Sequence, residues 1–282
     1  MNPVRIIVDS TADVTPEVEK RVSVVPLTIH FGEEHFVDGV DIDRAAFYEK
    51  LLNSDVLPST SQATPFAFSQ SYQKAVDAGE DVVVITISSL LSGTYQSAVI
   101  AAEDFPGRVH VVDSRSVALG SAVLADYALQ LADQGLDAAA IAEKLTEERE
   151  NVHLIALLDT LEYLKRGGRI SKTVALAGGL LSIKPAISLD GGEVKLIGTA
   201  RGARQGTALM DQKILSAGNI DFTRPVLMGY TGRGDAQLSK YMADSTLLKG
   251  HGDLPVSMVS GVVGTHAGPG VYAIGFFQKT GE

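Results

Sequence analysis

Two short segments concentrate hydroxyl groups at positions suited to anion binding. The first is Thr60-Ser61-Gln62-Ala63-Thr64-Pro65, and the second is Ser88-Ser89-Leu90-Leu91-Ser92-Gly93-Thr94. Thr64 followed by Pro65 is a helix start, with a capping hydroxyl and then proline at the first helical position. That accounts for Thr64 and leaves the hydroxyls of Thr60 and Ser61 upstream of it. The second segment follows the β-branched run Asp81 to Ile87 and opens a helical pattern beginning near Tyr95. In an open parallel sheet, ligands sit beyond the carboxyl ends of strands, and a helix N-terminus there adds free N–H groups and partial positive charge. Gly93 permits close backbone approach. Ser92 therefore reads as an anion donor or as a helix cap, two roles that are compatible. The chemistry implied is recognition of a small carboxylate.

Other polar groups fall near the same edge. Asp9-Ser10-Thr11 and Asp113-Ser114 each end a predicted strand. An aspartate there suits ordering hydroxyls and backbone better than meeting an anion directly. His266 lies in Gly264-Thr265-His266-Ala267-Gly268-Pro269-Gly270, a composition that predicts a tight turn. From such a turn it is either structural or a donor to a carboxylate. Lys165-Arg166-Gly167-Gly168-Arg169, with Arg201 and Arg204 further on, gives local positive charge, suited to a docking surface or an anion site. Ser171 is expected to cap a helix from Lys172 to Ala177, and the apolar stretch Leu176 to Ile183 to pack in the core or against a ligand tail. There is no Walker A loop, no Gly-x-Gly-x-x-Gly after a strand, no His-Glu-x-x-His and no Gly-x-Ser-x-Gly. This disfavours a nucleotide-using enzyme and a standard α/β-hydrolase.

The elements that must carry these residues alternate in the first half. Strands are predicted at Val4–Val8, Val24–Ile29, Asp81–Ile87 and Val109–Val112. Helices are predicted at Ala45–Leu52, Phe66–Ala78, Tyr95–Glu103, Val117–Gln134 and Ala138–Glu150. That alternation predicts a parallel, doubly wound sheet. The second half changes character. Lys184–Leu189 and Glu193–Gly198 flank Asp190-Gly191-Gly192, a hairpin signal and hence antiparallel pairing. Further strands are expected at Leu154–Leu157, Val226–Tyr230, Val256–Val259 and Val271–Phe276, with helices at Ala203–Ser216 and Ala236–Leu248. The fold class is α/β in two domains. Residues 1–150 form a parallel doubly wound unit, and residues 151–282 an α/β unit with a mixed or antiparallel sheet.

The chain has 282 residues, 45% hydrophobic and 21% charged, with a formal net charge of −10. This composition supports sizeable cores. The negative balance argues against nucleic acid as the main partner. Without cysteine there is neither a disulfide nor a thiolate metal site. No signal peptide or membrane-spanning run is evident, so the cytoplasm is the expected location and stable membrane insertion is not expected.

Over nearly its whole length the chain resembles the DegV family. The resemblance is carried by Ile7-Val8-Asp9-Ser10-Thr11-Ala12-Asp13, by Thr60 to Pro65, by Ser88 to Ala98, by Val112-Asp113-Ser114, by Leu161 to Ile170, by Ser182-Ile183-Lys184-Pro185 and by His266 to Gly270. Ala63 stands where that family usually has proline, and Ala267 where threonine is common. The resemblance implies one long-chain fatty acid between the two domains, its tail chiefly in the C-terminal one, and no other cofactor or metal. It implies a carboxyl site formed by Thr60 with its neighbour Ser61, by Ser92 with Gly93, and by His266, with Arg169 in the surround. Members of the FakB type present the carboxyl to a separate fatty-acid kinase for acyl-phosphate formation, and Arg201 is then a candidate for kinase docking. A monomer without catalytic residues is implied. Burying ~16 methylenes at about 0.8 kcal/mol each contributes on the order of 13 kcal/mol before costs. A hydrogen bond to a charged group contributes about 1.5–3 kcal/mol. The tail should therefore hold the ligand and the hydroxyls aim its head.

Two other classes compete. A hydrolase or acyltransferase would use Ser92 as nucleophile, His266 as base and Asp9 as orienter, residue types that fit a triad. A regulatory module would carry the lipid as structural filler.

Overall fold

The computed structural model describes residues 2–171 and 183–280. In chain order these form β1 (Val4–Asp9), α1 (Pro16–Glu19), β2 (Ser23–Val25), β3 (Thr28–Phe31), β4 (Glu34–Val37), α2 (Arg44–Asn53), β5 (Ser59–Ser61), α3 (Pro65–Asp77), β6 (Asp81–Thr86), α4 (Thr94–Ala102) and β7 (Val109–Asp113). Then come α5 (Leu119–Asp133), α6 (Ala138–Glu148), β8 (Val152–Leu157), α7 (Glu162–Arg166), β9 (Ile183–Asp190), β10 (Glu193–Arg201), α8 (Gly202–Ser216), β11 (Val226–Tyr230), α9 (Ala236–Asp244), β12 (Val256–Met258), α10 (Gly261–Ala267) and β13 (Tyr272–Phe277).

The strands form three sheets among the described residues. A parallel sheet has the order β2-β1-β6-β7. The chain winds from β1 to one side and later returns to the other, so the order reverses between β1 and β6. That reversal opens a crevice at the carboxyl ends of these two strands. A mixed six-stranded sheet has the order β10-β9-β8-β13-β11-β12, antiparallel except for β11 and β12. A small antiparallel sheet has the order β4-β3-β5.

Side-chain alternation explains the layering. Ile7, Val82 and Val84 face Phe68 and Tyr72 of α3 and Ala98 of α4. Val8, Val83 and Ile85 face the opposite way, into a cluster with Leu124 and Ala128 of α5 that continues to Leu154, Ala156 and Ala273 of the mixed sheet. Ile155, Leu157 and Ile274 project from that sheet's other face onto α8 and α9. Helix α5 is thus sandwiched between the two large sheets, and the halves share one apolar core. The sheet makes room for it with glycines. A Cβ on Gly229 would stand 2.7 Å from Leu119 Cδ2, and one on Gly275 2.6 Å from the Leu119 main chain. Glycine in a strand interior commonly marks such an approach.

The sequence-based expectations hold for most elements and fail at three places. The run Val24–Ile29 is two strands in different sheets, parted by Pro26, which has no N–H to give a ladder. Thr60 and Ser61 lie on β5 rather than in a loop. His266 lies in a helix rather than a turn. The helix expected from Lys172 to Ala177 and most of the apolar stretch Leu176 to Ile183 fall outside the described residues. Among the described residues no helix is long and apolar enough to cross a membrane, and no cluster of three or more metal-ligating side chains occurs.

Candidate functional site

The crevice at the β1/β6 reversal continues into a cavity of about 370 Å³ shared by both halves. That lies within the ~300–1,000 Å³ usual for small-molecule sites. Its walls are mostly apolar: Ile87, Leu119 at the start of α5, Leu154 and Ala156 of β8, Ile187 and Leu189 of β9, and Val263 of α10. Thr11, Thr60, Gln62, Ser92, Arg169 and His266 also line it.

Most of these polar groups are joined by contacts. Thr60 Oγ1 and His266 Nε2 are 2.8 Å apart. The ring's other nitrogen, Nδ1, is buried with no hydrogen-bond partner. It packs on Gly167, where a Cβ would overlap it. A buried N–H without an acceptor is the costlier state, so the proton belongs on Nε2, donated to Thr60 Oγ1. The Thr60 hydroxyl hydrogen is then left to point at a ligand. Burial, and secondly the nearby Arg169 charge, push the His266 pKa down to about 4, which keeps the ring neutral at pH 7.

Arg169 is itself tied down. Its Nη1 donates to Gly167 O at 2.5 Å and its Nε to Leu91 O at 3.2 Å, which fixes the guanidinium beside the second hydroxyl segment. There, Ser92 Oγ accepts from Thr94 N–H at 3.2 Å and lies 2.9 Å from Thr94 Oγ1. Ser92 therefore satisfies the first N–H of α4 from the residue before the cap position, which Gly93 holds without a side-chain bond, and it also lines the cavity.

Gln62 joins the two segments, a role that sequence reasoning did not assign. Its Nε2 donates to Ser97 Oγ on α4 at 3.0 Å. Its amide lies across Gly93, where a Cβ would overlap Oε1. Gly93 is required for this side-chain approach, since its φ of −70° suits any residue. The sequence signal was an amide between hydroxyls, which points to tying as readily as to binding.

Ser61 points away from Thr60, as strand alternation demands. Its Oγ lies 2.6 Å from His30 Nε2, and His30 Nδ1 lies 2.6 Å from His35 Nδ1. The Thr60 side chain thus pairs with His266, while the Ser61 hydroxyl pairs on the β3–β4 side although Ser61 also lines the cavity. Arg201 is exposed at the junction of β10 and α8, outside the cavity lining.

The aspartates order the backbone around the site. Asp9 accepts from Thr11 N–H at 2.9 Å, from Thr11 Oγ1 at 2.5 Å and from Ile87 N–H at 2.7 Å. Full burial raises its pKa against these bonds. Asp113 accepts from Ser89 N–H and Oγ and from Arg115 N–H. Ser88 Oγ donates to Gly192 O at 2.7 Å and so docks the β9–β10 hairpin tip onto the first half. A hydrolytic triad is not assembled: His266 Nε2 is engaged by Thr60, Ser92 by Thr94, and Asp9 by Thr11 and Ile87.

The architecture matches known proteins along its whole length. A DegV domain-containing protein of Caldanaerobacter subterraneus subsp. tengcongensis is 32% identical over 99% of this chain and 100% of its own. The structure of a DegV family protein from Thermus thermophilus, described for its fatty acid binding, superposes with a TM-score of 0.88 at 29% identity, covering 99% of this chain and 100% of that one. A Streptococcus pneumoniae fatty acid kinase B3 protein loaded with linoleic acid shares the fold at a TM-score of 0.85 and 24% identity, over 99% of this chain and 100% of that one. The model of the DegV family, described as one of uncharacterised proteins, matches residues 3–279, and the chain belongs to that family.

Proposed function

We propose that this protein binds one long-chain fatty acid between its halves and presents the carboxyl group to a separate fatty-acid kinase. The observation that carries the reading is the joint cavity, apolar over most of its wall and reaching the Thr60–His266 pair. In this account Thr60 and Ser92 donate hydroxyl hydrogens to the carboxylate. His266 holds Thr60 in the donating orientation, Arg169 supplies positive charge beside the head, and Gly93 lets the Gln62 tie close over the site. Ser61 contributes through its backbone, which keeps Thr60 in register. The tail lies along Leu119, Leu154, Ala156, Ile187 and Leu189. The donors that touch the head are neutral hydroxyls, which accommodate a carboxylate or an acyl phosphate, while the Arg169 charge is held back by its bonds to Leu91 O and Gly167 O.

The same reading treats residues 1–150 and 151–282 as two domains, working as a monomeric cytoplasmic carrier with no chemistry of its own. Arg201 is assigned to the kinase-facing surface. The unassembled Ser92–His266–Asp9 relay weighs against a hydrolase.

The test is titration of delipidated protein with palmitate and with methyl palmitate. Tight binding of the acid and weaker binding of the ester, whose head is uncharged, are expected. Equal affinity for the two would defeat the head-group assignment, and binding of neither would defeat the carrier reading.

A further inference from the structure

Helix α10 carries His266 in its last turn, and its N-terminus is buried. The first N–H groups of a helix have no partner within it, and a buried start needs them supplied from elsewhere. Ser260, at the cap position, makes no side-chain capping bond. Two carboxylates from the other half of the chain take that place. Asp13, fully buried just beyond β1, accepts from Ser260 N–H at 2.6 Å. Asp38, 5% exposed after β4, is faced by the N–H groups of Gly261 and Val262, which favour its charged form. Arg44 attracts both carboxylates while its Nη1 holds Ser257 Oγ at 2.8 Å and Met258 O at 2.7 Å, on the chain leading into α10.

The helix body fits its bed closely. A Cβ on Gly261 would stand 2.6 Å from Ile29 Cδ1, and one on Gly264 2.6 Å from Tyr48 Oη. Tyr48 Oη donates to Val259 O at 3.0 Å. Packing and the two carboxylates thus act together on the axial position of the helix. That position decides whether the ring at the other end reaches β5.

We propose that Asp13 and Asp38 are positioning residues for the head-group site, clasping the start of α10 so that His266 at its end is held against Thr60. Asp13 Oδ2, Asp38 Oδ2 and Ser260 Oγ are buried without a well-formed hydrogen bond, although the Ser260 hydroxyl beside Asp13 and the Ser10 hydroxyl beside Asp38 favour the charged carboxylates. Leaving polar atoms in that state is costly, which fits a cluster kept for placement rather than for stability.

The inference rests on the carboxylate-binding reading of the Thr60–His266 pair, and its test separates the two. Asp13→Asn and Asp38→Asn are each compared with wild type for binding of palmitate and of hexadecanol, which keeps the chain and loses the carboxylate. The His266 ring is titrated by nitrogen-15 NMR in ligand-free protein. Each variant should bind palmitate about five- to tenfold more weakly, the scale of a lost cap, with hexadecanol affinity unchanged. The His266 pKa should rise from about 4 toward its ordinary value as the ring regains water. Removal of a negative charge by itself would move it the other way. Equal loss for acid and alcohol, an unmoved or lowered His266 titration, or failure of both variants to fold would overturn the proposal. If wild type binds no palmitate, the carrier reading falls, and the ligand-free titration still reports on the clasp.

Discussion

Thr60 Oγ1 and His266 Nε2 stand 2.8 Å apart although 206 residues separate them in the chain. The contact crosses between β5 and α10, and its direction, from the ring N–H to the hydroxyl oxygen, decides what Thr60 can offer a ligand. Thr60→Val keeps the shape and removes the hydroxyl. Loss of a hydrogen bond to a charged head should weaken fatty-acid binding by about 1.5–3 kcal/mol, roughly ten- to hundredfold. Calorimetric titration with palmitate measures it. An unchanged affinity would take Thr60 out of the site.

Gly167 is the floor under His266. Gly167→Ala drives a methyl group into Nδ1, and its φ of −71° makes backbone strain irrelevant. The ring must shift, so palmitate affinity should fall as it does in Thr60→Val. The overpacking should cost about 1–3 kcal/mol of stability in urea denaturation. A crystal structure of the variant with the 2.8 Å contact intact would contradict this role.

Ser92 is assigned two duties, one toward the ligand and one toward Thr94. Ser92→Ala should lose palmitate affinity through the head group and about 1 kcal/mol of stability through the lost bond to Thr94 N–H. Ser92→Gly should lose the same affinity with a larger stability cost, since it removes the same bond and also loosens the unfolded chain. Paired thermal melts and titrations separate the effects, and a variant with wild-type affinity would reduce Ser92 to ordering the start of α4.

The pH dependence has two contributions of opposite sign. The folded-state pKa of His266 lies below its ordinary value, so its contribution is fully present above pH 6.5 and is lost as pH falls toward 4. Asp13 and Asp38 are raised by burial from 3.8 to about 7 and about 6, so their burial penalty is absent below the ordinary value, grows as pH rises from there and is complete above the raised values. Asp13 also faces Arg44 and Asp38, and Tyr48 packs beside both carboxylates. Between pH 4 and 6 the two carboxylates outweigh the one histidine, so stability should decline with rising pH, Asp38→Asn should flatten that decline, and Asp13 alone extends it toward pH 7. Urea midpoints across this range check it, and a variant with the wild-type slope would contradict the assignment.

Much of this was legible in the sequence, and its failures share a cause. The β-branched run Asp81 to Thr86 and the hairpin at Asp190-Gly191-Gly192 are set by local pattern, and both appear where expected. The family motifs brought Thr60, Ser92 and His266 into one hypothesis, and the structure places all three on one cavity. Helix α10 was hidden because Gly261 and Gly264 serve tertiary contact with Ile29, Phe47 and Tyr48, while local rules read such glycines as turns. Only Gly268, with φ of 75°, ends the helix in the way those rules expect. Strand β5 was hidden by its length of three residues and its polar Ser-Thr-Ser composition, and without it the opposed directions of Thr60 and Ser61 could not be seen. The Asp13–Ser260 contact spans 247 residues, beyond the reach of any local pattern.

The central claim is that one fatty acid occupies the cavity shared by the two halves. Native mass spectrometry of the gently purified protein, followed by incubation with palmitate and lipid extraction, measures it directly. One fatty-acid mass per chain is expected, either carried through purification or acquired from palmitate, and it should be lost on substitution of Thr60 and Ser92 together. A protein that stays ligand-free throughout would contradict it.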